Sequence, residues 1–223
     1  MLDGPRFGPA AGRTPRHIVV LCHGYGSNGD DLISLAPYWA KILPDALFVS
    51  PNAPDPCDMA PPGFEGRQWF PIGALDPATL GAGARRARGV LDSFIDGELT
   101  RHALPADAYA LMGFSQGAMM ALFTGLRRSV PPRAILAYSG ALVDPASLAR
   151  EITGAPPVLL VHGEADTVVP PSRSREAQTA LIAANVPVQA LFIPGLAHGI
   201  DPAGLEAGEA LLSRTLTSGA SAG

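Results

Sequence analysis

Tyr109-Ala110-Leu111-Met112-Gly113-Phe114-Ser115-Gln116-Gly117 decides the fold, because an apolar run breaks at a G-x-S-x-G turn and is followed by a segment of helical spacing. A serine on a sharp strand-to-helix turn sits in a strained backbone, and the glycines two residues either side remove side chains that would collide there. The turn also aims the first amides of the helix at one point, so the Gln116 N–H can serve a developing oxyanion. Beyond it, Gly117, Ala121 and Gly125 fall four apart, a row of small residues along which a helix approaches a sheet closely.

Outward from this stretch the same alternation repeats. Apolar runs that read as buried strands are His17 to Cys22, Leu47 to Ser50, Ala134 to Tyr138, Val158 to His162 and Val188 to Ile193. Helical spacing occupies Leu32 to Ile42, Ala82 to Leu99, Gln116 to Arg128, Ser147 to Ile152, Ser172 to Ala184 and Leu205 to Leu216. Asp144-Pro145 and Asp201-Pro202 each offer a capping carboxylate before a proline suited to the first helical position. Strand then helix, repeatedly, predicts an α/β protein with a mostly parallel central sheet covered on both faces. At 223 residues and 47% hydrophobic side chains, one domain is expected over 17–217, with an N-terminal extension at 1–16 and a flexible small polar tail at 218–223. Pro51 to Ile72 breaks the pattern with six prolines and with Phe64, Trp69 and Phe70, and is read as a wall of the active site.

A net charge of -4 with scattered acids and bases leaves no electrostatic footprint for nucleic acid. No apolar run approaches the roughly 20 residues of a membrane span, and Met1 to Arg16 lacks the core of a signal peptide. Cys22 and Cys57 without a secretory context are expected to be reduced thiols in a cytoplasm. No metal-ligand spacing occurs, so no metal or other cofactor is expected. Small, largely uncharged substrates fit this balance; a homodimer stays open.

A serine hydroxyl needs a histidine to take its proton and a carboxylate to hold that imidazole. In chain order serine, acid, histidine, His198 follows the last strand in Gly195-Leu196-Ala197-His198-Gly199, and Asp166 lies in the loop after Val158 to His162. Asp166 is preferred to Glu164, which is nearer the strand, and to Asp144, which reads as a cap; His162 reads as a satisfied structural histidine. After the first strong strand, His23-Gly24-Tyr25-Gly26-Ser27-Asn28-Gly29 contains a literal G-x-G-x-x-G, but no acid stands at the end of the next strand, where a dinucleotide ribose would need one. The loop is read instead as supplying the Tyr25 N–H as second oxyanion donor, braced by hydrogen bonding from His23. A module of this fold that binds without catalysing is the rival class.

Five motifs in order, His23-Gly24-x-Gly26, Pro51-Asn52-Ala53-Pro54, Gly113-Phe114-Ser115-Gln116-Gly117, His162-Gly163-x-x-Asp166-x-x-Val169-Pro170 and Gly195-x-x-His198, resemble the phospholipase/carboxylesterase family, which includes the acyl-protein thioesterases. The resemblance implies an α/β-hydrolase fold without a separate cap domain, the triad Ser115, Asp166 and His198, and oxyanion amides at Tyr25 and Gln116. It implies a serine carboxylesterase working through an acyl-enzyme, with a lysophospholipase or acyl-thioesterase as the alternative. Tyr25, where eukaryotic thioesterases often carry leucine, and Gly66-Arg67-Gln68-Trp69-Phe70 look like the bacterial carboxylesterase type. By the same resemblance Trp69, Leu75 and Val168 are candidates for contacting substrate, although a core plug serves equally well as a reading of Trp69.

Overall fold

In the computed structural model, which describes residues 2–60, 63, 65–73 and 77–217, the chain alternates strands and helices around one seven-stranded sheet. Its strands are β1 (Arg6–Phe7), β2 (His17–Cys22), β3 (Ala46–Val49), β6 (Tyr109–Phe114), β7 (Ile135–Tyr138), β8 (Val158–Gly163) and β9 (Val188–Ile193). A separate ribbon pairs β4 (Asp55–Pro56) with β5 (Arg67–Gln68). The helices are α1 (Gly29–Ile33), α2 (Ala36–Trp39), α3 (Pro77–Arg101), α4 (Gln116–Gly125), α5 (Pro145–Glu151), α6 (Ser172–Ala183) and α7 (Pro202–Leu216). Strand order is β1-β3-β2-β6-β7-β8-β9, parallel throughout except for β1, which runs antiparallel on β3.

Alternation along each strand divides the core in two, as a pleat with both faces covered requires. Ile18, Val20, Leu111, Ile135 and Leu160 face α3, α4, α5 and α6, where Leu91, Phe123, Leu148 and Leu181 are buried. Val19, Leu21, Met112, Leu136 and Val161 face α1, α2 and α7, with Trp39 and Leu212. Among the described residues no helix is long and apolar enough to cross a membrane.

Three expectations need correction. The helix expected over Leu32 to Ile42 is two short ones, α1 and α2. Pro37 is the reason: it has no N–H to give the carbonyl of Ile33, so one helix cannot run through. Asp144 does stand before α5, but in a left-handed conformation (φ 49°) with no side-chain cap; its carboxylate goes to Arg85 at 2.7 Å. Asp201 does cap α7, accepting from the Gly204 N–H at 2.8 Å. Thirdly, part of the segment set apart as an N-terminal extension belongs to the sheet: Arg6 pairs with Val49 and Phe7 with Phe48. The tail at 218–223 lies outside the described residues.

Candidate active site

β6 delivers Ser115 at the carboxyl edge of the sheet with φ 54° and ψ -118°, a conformation L residues rarely adopt. What holds it is backbone: the Ser115 N–H donates to Tyr138 O at 2.9 Å, and Ser115 O accepts from the Ala118 and Met119 N–H groups. The flanking glycines are required by contact. A Cβ on Gly113 would lie 2.1 Å from Gly117 O, and one on Gly117 would lie 1.9 Å from Cys22 O. α4 therefore rests directly on β2 and β6, bringing its first amides to the serine.

Asp166 and His198 come from the next two loops of the same edge. The Glu164 N–H donates to Ile193 O and the Ala165 N–H to Leu196 O, each at 2.9 Å, so the two loops are laced together. Gly163 permits the approach, since its Cβ would lie 2.2 Å from Leu196 O. The His198 Nδ1–H donates to Asp166 Oδ2 at 2.7 Å, while Asp166 Oδ1 accepts from the Val168 and Val169 N–H groups at 2.8 and 2.9 Å. Burial alone pushes this carboxyl up, but the bond from His198 and the two amide bonds outweigh it and hold it below the ordinary range. Asp166 is thus a fixed acceptor that selects the imidazole tautomer with its free lone pair on Nε2.

Ser115 and His198 line one pocket of about 320 Å³, although the hydroxyl and the imidazole make no hydrogen bond in this structure. The Phe114 ring packs on the imidazole, centroids 4.7 Å apart. The Tyr25 and Gln116 residues line the same pocket. Among the described residues no backbone acceptor engages the Tyr25 N–H, and Gln116 opens a helix, where the first N–H groups have no intrahelical partner. His23 braces the loop as expected: its Nε2 accepts from the Ala53 N–H at 2.9 Å, so Nδ1 carries the proton and donates to Gly24 O at 2.7 Å. Gly24 O and the Tyr25 N–H belong to one planar peptide, so pinning the first directs the second. Burial drives the His23 ring below its ordinary pKa and keeps it in this neutral form.

Of the side chains expected to meet substrate, Val168 lines the pocket, and Leu75 lies outside the described residues. Trp69 does not line it. The indole is buried behind the wall with its N–H donated to His23 O at 2.9 Å, and Phe70 takes the place at the pocket. Both rings are buried in one core cluster just past β5, and of the two only Phe70 reaches the pocket. Sequence reading also missed how near His162 stands to Asp166. Its Nδ1 accepts from Ser174 Oγ at 2.6 Å, its Nε2–H donates to Val169 O at 2.8 Å, and Nε2 lies 3.2 Å from Asp166 Oδ2. The spacing His162 to Asp166 across a strand end was the one signal available. Cys22 and Cys57 are free, the first buried, with its thiol pushed up to about 12 by burial.

A mostly parallel sheet with helices on both faces, carrying a strained serine between β6 and α4 and a histidine–aspartate pair after β8 and β9, is the architecture of an α/β-hydrolase. The chain belongs to the phospholipase/carboxylesterase family, whose model matches residues 10–216. It is 30% identical over 191 residues to esterase YpfH of Escherichia coli (strain K12), covering 83% of this chain and 77% of that protein. To acyl-protein thioesterase 1 of Neurospora crassa it is 27% identical over 226 residues, 95% of this chain and 91% of the relative. Among solved structures, esterase PE8 superposes with a TM-score of 0.91 at 41% identity, covering 96% of this chain and 99% of the other. The protein is an enzyme of the ester-bond hydrolases.

Proposed function

We propose that this enzyme is a serine carboxylesterase that hydrolyses carboxylic esters in two steps through an acyl-enzyme. Ser115 Oγ attacks the ester carbonyl as its proton passes to His198 Nε2, and Asp166 stabilises the imidazolium through Nδ1–H. Charge on the carbonyl oxygen is met by the Tyr25 and Gln116 N–H groups. The tetrahedral adduct collapses, and the His198 Nε2–H protonates the leaving alkoxide. Water, deprotonated by His198, then attacks the acyl carbonyl; a second adduct collapses, Ser115 regains its proton, and the carboxylic acid leaves.

The observation that carries this reading is the 2.7 Å bond from His198 to a carboxylate locked by two further amides, at the pocket that Ser115 lines. Catalytic hydrogen bonds are often long before substrate binds, so the Ser115 hydroxyl is expected to turn toward Nε2 in the complex. Labelling by a fluorophosphonate probe tests it. Ser115 should carry the label and Ser115→Ala should take none; a label elsewhere with full turnover in the variant would defeat the assignment.

An acyl-thioesterase or lysophospholipase with the same triad is a second reading, favoured by relatives named acyl-protein thioesterase 1. An oxygen ester and a thioester of the same acyl group, compared by kcat/KM, separate the two.

A further inference from the structure

The side chain of Gln116 does something its N–H does not. It is buried, and its amide is spent on the segment that walls the pocket: Oε1 accepts from the Trp69 N–H at 2.9 Å, and Nε2 donates to Phe70 O at 2.7 Å. Two parallel bonds of this kind imitate the pairing of a neighbouring strand and fix the segment against α4. Trp69 anchors it from behind through the indole bond to His23 O. The Phe70 ring is held on its other side by α3, where a Cβ on Gly83 would lie 2.7 Å from Phe70 Cγ and Cδ2.

Phe70 lines the pocket with the apolar side chains Ile72, Leu80 of α3 and Met119 of α4, and Phe70, Leu80 and Met119 belong to one packed cluster. Tyr25, Ser27 and Asp31 supply polar lining, the Ser27 hydroxyl donating to Asp31 at 2.8 Å. An acyl chain suits the apolar lining, which is the acyl end of the site, and a polar alcohol suits the polar lining. The whole volume, about 320 Å³, lies near the floor of the roughly 300–1,000 Å³ common for ligand pockets, and it must seat both halves of an ester.

We propose that the Gln116 side chain is a specificity-determining strut: by tying Phe70 to the nucleophile helix it bounds the acyl end of the pocket and confines the enzyme to short acyl chains. The inference rests on the esterase reading above. It separates two roles in one residue, the main-chain N–H serving the oxyanion and the side chain setting acyl length.

The experiment is a series of p-nitrophenyl esters from acetate to decanoate, read as kcat/KM for the wild-type protein and three variants. Apolar pockets discriminate about ten-fold or more on one methylene, so butyrate should exceed decanoate by at least about ten-fold in the wild type. Gln116→Met keeps the N–H and most of the volume but neither side-chain bond, and should lower that ratio about five-fold; Phe70→Ala should lower it at least as much. Gly83→Ala, which drives the Phe70 ring toward the pocket, should raise it. A flat wild-type profile overturns the proposal, as does a Gln116→Met protein whose rates fall by one factor at every chain length. Fluorophosphonate labelling of Ser115 in the same samples keeps the two readings apart: a labelled enzyme with a flat profile sinks only the acyl-length claim, whereas an unlabelled, inactive protein sinks the esterase reading with it. Should Gln116→Met not fold, opposite shifts from Phe70→Ala and Gly83→Ala support the bounded acyl end, and equal ratios in the two overturn it.

Discussion

The two ends of the parallel sheet make an instructive pair. At the amino ends lies a cavity of about 500 Å³ bordered by Arg16, His17, Asp45 and Arg133; at the carboxyl ends lies the pocket of about 320 Å³ with Ser115 and His198. The larger one is the chemically quieter. Two of its charges are spent on neighbours, Arg133 on Asp107 at 3.1 Å and Asp45 on Arg13 at 2.8 Å. At the smaller one, among the described residues no hydrogen bond engages the Tyr25 and Gln116 N–H groups or the Ser115 hydroxyl, and Asp166, behind the pocket, accepts the Nδ1–H of His198. Convergence of unspent polar groups marks a site better than volume does.

The sharpest way to break this contrast is Ser115→Ala. Alanine bears the same backbone strain, so the fold should persist while ester turnover falls, by on the order of 10⁶ in kcat if the residue acts as in comparable serine hydrolases. Stopped p-nitrophenol release beside an unchanged circular dichroism spectrum is the expected pair of readings. Asp166→Asn should come next, near 10⁴-fold in kcat, because the amide can donate to Nδ1 and so favour the wrong imidazole tautomer. Turnover within ten-fold of wild type would remove Asp166 from its role.

From the other end, Thr217→Trp, at the mouth of the amino-end cavity, should leave kcat/KM within about two-fold, as surface changes away from a site usually do. A large loss would mean that the two ends communicate. The smallest effect concerns acid stability. His17 is lowered to about 4 from 6.5, by burial first and then by Arg133 and Arg16, and its Nδ1 is buried without a partner among the described residues. Because the folded form resists this proton, the unfolded chain binds more protons between pH 6.5 and about 4, so the contribution is whole above that window and is lost as pH falls through it. Urea midpoints measured from pH 7 to pH 4 should fall less steeply for His17→Gln than for the wild type.

Legibility in the sequence followed the range of the interaction. The strands His17–Cys22 and Val188–Ile193 were bounded correctly because apolar runs between turn residues need no partner to be recognised. Ser115, Asp166 and His198 could be singled out because each sits at a strand end, where motif and topology fall together; the structure joins His198 to Asp166 and sets His198 and Ser115 on one pocket. What escaped depends on contacts across the chain. Arg6 and Phe7 are too few to show a period, and only their pairing with Val49 and Phe48 makes them a strand. Side-chain bonds from Gln116 span 46 and 47 positions, and nothing local announces that Phe70, not Trp69, reaches the pocket.

That short first strand has a practical meaning. Arg6 is anchored by bonds of 2.6 and 3.3 Å to the buried carboxylate of Glu98, and it lays the chain along the outer side of β3. A protein trimmed to begin at His17 would bare a row of main-chain donors and acceptors to any strand in reach, an invitation to edge-to-edge association. Precipitation during purification, with the active site itself still intact, would be the first symptom of such a truncation.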